Sequence, residues 1–102
     1  MGENLKRKRL ESGETFVTSE KGNSMTPLIK SGQEHELSPC ELKDVSIGDI
    51  VYAKVGNRYY THLVKNISKE GLVLIGNNHG GTNGWTDNVY GKVTEVFGNK
   101  HG

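Results

Sequence analysis

Short apolar runs separated by polar, glycine-marked turns fill this chain, and no stretch shows a sustained helical period. Thr15-Phe16-Val17-Thr18 reads as a short strand, and Glu34-His35-Glu36-Leu37 as another that stops at Pro39. Ile47-Gly48-Asp49 marks a turn into Ile50-Val51-Tyr52-Ala53-Lys54-Val55, a run rich in branched and aromatic residues. Gly56-Asn57 predicts a hairpin turn, and Arg58 through Ile67 the return strand. Gly71 precedes Leu72-Val73-Leu74-Ile75, a further strand. The stretch from Gly76 to Gly84 holds four glycines and three asparagines and reads as one long polar loop. Strand character resumes from Trp85 to Phe97, with Val89, Val93 and Val96 offered to the core. Met25 to Lys30 has room for one helical turn, which Ser31-Gly32 would end. The expected fold is mostly β: a small coiled β-sheet or partial barrel with one short helix after Ser24.

Composition narrows the class. A chain of 102 residues suits one domain, and 14 glycines fit a turn-rich fold. A net charge of +1 argues against broad electrostatic binding to nucleic acid. The only cysteine, Cys40, allows no internal disulfide and fits a reducing compartment. No apolar run approaches the ~20 residues that span a bilayer, and the N-terminus lacks the apolar stretch of a secretory signal. Met1-Gly2 begins a myristoylation pattern that Lys6 breaks. A soluble, cytoplasmic protein is expected. Lys6-Arg7-Lys8-Arg9, partly balanced by Glu3, Glu11 and Glu14, reads as a mobile basic end over residues 1–13. Its alternative role is an anchor on an acidic partner or nucleic acid. Residues 14–98 would form the domain and 99–102 a tail.

The segment Gly22-Asn23-Ser24-Met25-Thr26-Pro27 places a serine in a tight turn, and Tyr60-Thr61-His62-Leu63-Val64 puts a histidine on a strand 38 residues later. A serine hydroxyl attacks a carbonyl only when a neighbouring group takes its proton, so Ser24 with His62 suggests a nucleophile and base. Each has a plainer role. Ser24 could cap the helical turn that follows, and His62 could pack between Tyr60 and Val64. His35, His79 and His101 read as surface residues. A zinc site built from Cys40 and histidines would match no standard ligand spacing. Met25 reads as a packing residue that fixes the turn. Trp85, Tyr59, Tyr60 and Tyr90 could line a peptide groove, though aromatics on strands more often fill cores. The 76–84 loop lacks the Lys-Ser/Thr ending of a phosphate-binding loop and reads as a mobile flap.

Taken in order, four segments resemble the serine peptidase domain shared by type I signal peptidases and LexA-type self-cleaving repressors. They are Gly22-Asn23-Ser24-Met25-Thr26-Pro27, Ile47-Gly48-Asp49-Ile50-Val51, Tyr60-Thr61-His62-Leu63-Val64 and Tyr90-Gly91-Lys92-Val93, and the likeness covers about residues 15 to 97. The resemblance implies a LexA/signal-peptidase fold with Ser24 as nucleophile and His62 as general base, as in the family's Ser–His branch. Lys65, an odd number of residues from His62, would face the other side of the strand, and Lys54 sits on the preceding strand. It further implies that the Ser24 N–H helps bind an oxyanion, that no cofactor is used, and that a peptide or protein substrate lies as an extended strand along an exposed sheet edge. Cleavage would follow a small residue.

The sequence also departs from the family. Asn77 stands where the Ser–His branch usually has an aspartate, which leaves Asp87 as the acid that could reach back to His62. No transmembrane anchor is expected, since no apolar run is long enough, and no preceding DNA-binding domain, since the 23 residues before Ser24 are too few for one. The usual self-cleavage dipeptides are missing, with Ser12-Gly13 a weak substitute. Asn77 in place of an acid, with no anchor and no DNA-binding domain, motivates a second-ranked alternative, a non-catalytic peptide- or protein-binding module on the same fold, which a phage or mobile element could encode. Loss of the effect in Ser24→Ala, with partner affinity kept, would separate the two.

Overall fold

The computed structural model describes residues 2–98, with side chains described from Leu5 onward. Helix α1 spans Gly2–Glu11. Seven strands follow: β1 Phe16–Thr18, β2 His35–Pro39, β3 Ile50–Val55, β4 Arg58–Ile67, β5 Val73–Gly76, β6 Thr82–Thr86 and β7 Val89–Val96, with one 3-10 turn at Leu42–Asp44. All seven strands pair antiparallel in a single sheet of order β1-β2-β7-β3-β4-β5-β6. The protein is therefore mostly β, as the apolar pattern predicts.

The sheet coils on itself. The Thr86 hydroxyl at the end of β6 donates to the Lys54 carbonyl at 2.6 Å, and the Lys54 N–H donates to the Asn88 carbonyl at 2.9 Å. Both bonds bring the far end of the sheet back onto β3. The β3–β4 hairpin forms where Gly56-Asn57 predicts it, with Val55 opposite Arg58 and Val51 opposite His62. Among the described residues, no helix is long and apolar enough to cross a membrane.

Side-chain alternation on β3 builds two cores. Val51 and Ala53 join Val45, Val64, Val73 and Ile75 on one side. Tyr52 points to the other, with Leu10, Phe16 and Leu37. The second core is roofed by α1, so the basic stretch expected to be a mobile end is helical instead. Leu10 is only 2% exposed. The basic side chains also pack. The Arg7 guanidinium lies 4.9 Å from the Tyr90 ring centroid and donates to the Tyr59 hydroxyl at 2.9 Å, and Arg9 lies 3.9 Å from the Phe16 centroid. Cations over aromatic faces do here what an apolar stripe does on an ordinary amphipathic helix.

Gly91 on β7 lets the helix come close. A Cβ there would lie 2.6 Å from the Ser38 carbonyl oxygen and 2.8 Å from a Leu10 methyl. Gly91→Ala should therefore push α1 off the sheet and destabilise the fold by about 1–3 kcal/mol, read as a lowered melting temperature. An unchanged melt would show that Leu10 does not need this approach.

Two further expectations are corrected. The short helix precedes Ser24 rather than following it: Met25 to Lys30 forms turns, with a single helical bond from the Ile29 N–H to the Met25 carbonyl at 3.0 Å. His35, expected at the surface, is 0% exposed. It begins β2, paired with Thr18 and Val96, and its side chain lies off the sheet face beside Met25, Ile29 and Thr61. His101 lies outside the described residues.

Candidate active site

Ser24 sits in the turn that follows β1. Gly22 enters that turn at a φ of 121°, a conformation open to glycine and costly for other residues. Met25 and Ile29 are buried and anchor the turn from below. His62 lies mid-strand on β4 and is 9% exposed. The two meet: Ser24 Oγ is 3.0 Å from His62 Nε2. The other ring nitrogen, Nδ1, is 2.7 Å from Asn83 Oδ1. An amide oxygen only accepts, so Nδ1 carries the proton and Nε2 is left to accept from the serine hydroxyl. Tyr60 flanks the imidazole, with ring centroids 5.0 Å apart.

The orienting group is thus Asn83 on β6, and the two acidic-position candidates stand elsewhere. Asp87, offered as the third member, lies in the turn between β6 and β7. It lines an open cleft of about 780 Å3 with Leu10, Pro39, Cys40, Asp44 and Tyr90, away from Ser24 and His62. Asn77 turns inward on its own loop, its side-chain oxygen accepting from the His79 and Gly81 N–H groups at 2.8 and 3.0 Å. Asn83 is not evident from the sequence, because Thr82 and Asn83 read as part of the polar loop. The signal that could have found it is the alternation of Thr82-Asn83-Gly84-Trp85-Thr86, which continues a strand from Thr86 back to Thr82. The alternative bases are placed apart. The Lys54 ammonium lies 5.5 Å from the Tyr59 ring centroid, and the Lys65 stem runs along Gly76.

The loop read as a mobile flap is instead docked on the serine turn. The Asn78 N–H donates to the Ser24 carbonyl at 2.8 Å, and its amide donates to the Thr26 carbonyl at 2.9 Å. His79 Nε2 donates to the Asn23 carbonyl at 2.9 Å and lies 3.0 Å from the Thr26 hydroxyl. These bonds fix the serine backbone while leaving the Ser24 N–H uncommitted to any partner among the described residues.

A small cavity of about 30 Å3 opens beside the serine, lined by Ser24, Met25, Ile29, Glu20, His35 and Thr61. It is about the size of one water. Glu20 accepts from Lys6 Nζ at 2.6 Å and from the Thr61 hydroxyl at 2.7 Å. Burial works to raise its carboxyl, but those two donors outweigh it and hold the group below the usual carboxylate range. His35 is pushed below the usual imidazole value of about 6.5, chiefly by burial. Its Nδ1 faces the Gln33 carbonyl at 3.2 Å, and its Nε2 is buried with no hydrogen-bond partner.

Both groups bind protons more readily when unfolded, so both make stability rise with pH. His35 contributes stability above about pH 6.5 that is lost as pH falls through its lowered folded value. Glu20 does the same in the carboxylate range below. Denaturant titrations from pH 7 to 4 should show stability falling throughout, and His35→Gln should flatten the upper part of the slope. A flat wild-type profile between pH 7 and 5 would contradict this.

Among the described residues, no group of three or more His, Cys, Asp or Glu side chains is arranged to hold a metal ion. No family model, curated protein or solved structure matches this chain. The chemistry of the site rests on its own geometry.

Proposed function

We propose that the protein is a serine peptidase or self-processing protease of the signal-peptidase and LexA-type clan. The observation that carries this reading is the 3.0 Å approach of Ser24 Oγ to His62 Nε2, in the tautomer that accepts the hydroxyl proton. Ser24 attacks the scissile carbonyl as Nε2 takes its proton. The imidazolium returns that proton to the leaving amine, and water then hydrolyses the acyl-serine by the reverse use of the same groups. The uncommitted Ser24 N–H is a donor for the oxyanion. Asn83 fixes the ring and its tautomer, a role an amide fills in cysteine peptidases of the Cys-His-Asn kind.

The cavity of about 30 Å3 beside Ser24 supports cleavage after a small residue. The sheet ends in β1 and β6, and an extended substrate adding to one of these edges would be held by main-chain bonds. Incubation with a peptide library tests the reading: cleavage is expected from wild type and not from Ser24→Ala. Cleavage that persists in both Ser24→Ala and His62→Ala would remove this mechanism.

One observation favours a second reading, a peptide-binding module without turnover. Asn83 gives the imidazolium no counter-charge, which lowers the drive for proton transfer. On that reading Ser24→Ala leaves partner affinity and effect unchanged.

A further inference from the structure

Glu20 stands four residues before Ser24 and touches three separate parts of the molecule. Its carboxylate binds Lys6 on α1 and Thr61 on β4, and its carbonyl accepts from the Gly32 N–H at 2.7 Å across the serine turn. Thr61 precedes His62 on the same strand. Successive strand side chains point to opposite faces, so the Glu20–Thr61 and Ser24–His62 bonds grip β4 from two sides. Glu20 and Thr61 are charge-assisted partners at 2.7 Å, and Thr61 is only 6% exposed. Lys6 neutralises the carboxylate at a half-buried position and fixes its rotamer.

We infer that Glu20, held by Lys6 of the N-terminal helix, is a positioning residue that sets the distance between Ser24 and His62. This inference rests on the serine-nucleophile reading of the site. With the Glu20 charge removed, the ion pair to Lys6 is lost and the Thr61 hydroxyl donates to a neutral oxygen, so this tie between the serine turn and β4 loosens while Met25 and Ile29 stay buried. A near-attack geometry tolerates little of that, since a displacement near 1 Å can lose about 100-fold in rate. The helix thereby becomes part of the site without touching substrate.

The test is the rate at which a serine-directed fluorophosphonate labels the full chain. Ser24 Oγ forms the bond to phosphorus, fluoride leaves, and His62 takes the hydroxyl proton. Glu20→Gln and Lys6→Met should lower the maximal labelling rate by about 10- to 100-fold, with the half-saturating probe concentration within about twofold of wild type. The double variant should be no slower than Glu20→Gln alone, because both break one chain of contacts. Lys6→Arg should recover most of the rate. Arg9→Met is the structural control: it loses the stacking on Phe16 and should lower the melting temperature without slowing labelling.

Unchanged labelling in Glu20→Gln overturns the inference, as does a rate loss that follows melting temperature across the set, Arg9→Met included. A wild type that labels no faster than Ser24→Ala sinks the nucleophile reading instead. In that case the positioning claim is read from the His62 ring-nitrogen chemical shifts, which report the hydrogen bond to Ser24. Shifts identical in wild type and Glu20→Gln would overturn it.

Discussion

Ser24→Ala is expected to abolish peptide cleavage, with kcat falling by roughly 10⁴- to 10⁶-fold and the fold unchanged. The size follows from the division of labour in the proposed mechanism. Without Oγ no acyl-enzyme forms, and the oxyanion donors and substrate contacts alone leave only a small rate over water. His62→Ala should lose nearly as much, since an unassisted serine hydroxyl is almost fully protonated at neutral pH. The double variant should be no worse than either single one, because the two groups act as a unit. The fold should survive: Ser24 is exposed, and its carbonyl bond to Asn78 comes from the backbone. Peptide turnover with circular dichroism as a fold control checks this. A Ser24→Ala protein retaining a tenth of wild-type activity would exclude Ser24 as nucleophile.

Asn83→Asp should move the pH dependence of cleavage rather than merely scale it. A carboxylate 2.7 Å from Nδ1 would favour the imidazolium, which the neutral amide does not. The base must be deprotonated to act, so the acidic limb of the kcat/KM profile should shift upward by about 1 unit or more. At a pH above the new midpoint, the better-stabilised imidazolium should also raise kcat. Asn83→Ala should cost about 100-fold or more at every pH, because the ring loses both its tautomer and its aim. An acidic limb that stays in place in Asn83→Asp would mean that Asn83 does not contact the working base.

Most of the sheet is legible in the sequence, because β3 is a run rich in branched and aromatic residues and Gly56-Asn57 marks its turn into β4. Ser24 and His62 are legible only through the order of four short segments, since the fold must bring together residues 38 positions apart. Asn83 is hidden by composition: glycine and asparagine on both sides disguise the first residues of β6 as loop. Helix α1 is hidden for a different reason. Its docking relies on Arg7, Arg9 and Lys6 over aromatic rings, and a charged run with Leu10 as the one buried residue among its described side chains has no apolar stripe to detect. His35 illustrates the limit of residue-type reasoning: its place beneath the turn that carries Met25 and Ile29, not its polarity, decides its burial.

The alternation on β3 has a consequence for how the molecule comes apart. Val51 and Ala53 belong to one core and Tyr52 to the other, so the same six-residue strand is the shared wall of both. Neither half can melt while its neighbour keeps this strand in place, and neither can keep it once the other has let go. A blow to the helix side, such as a wedge under Leu10, is therefore felt at Val64 and along β4, where His62 is mounted. Two hydrophobic clusters among the described residues share one strand, so the fold is expected to unfold as a single cooperative unit, the candidate Ser24–His62 site together with the helix on the opposite face.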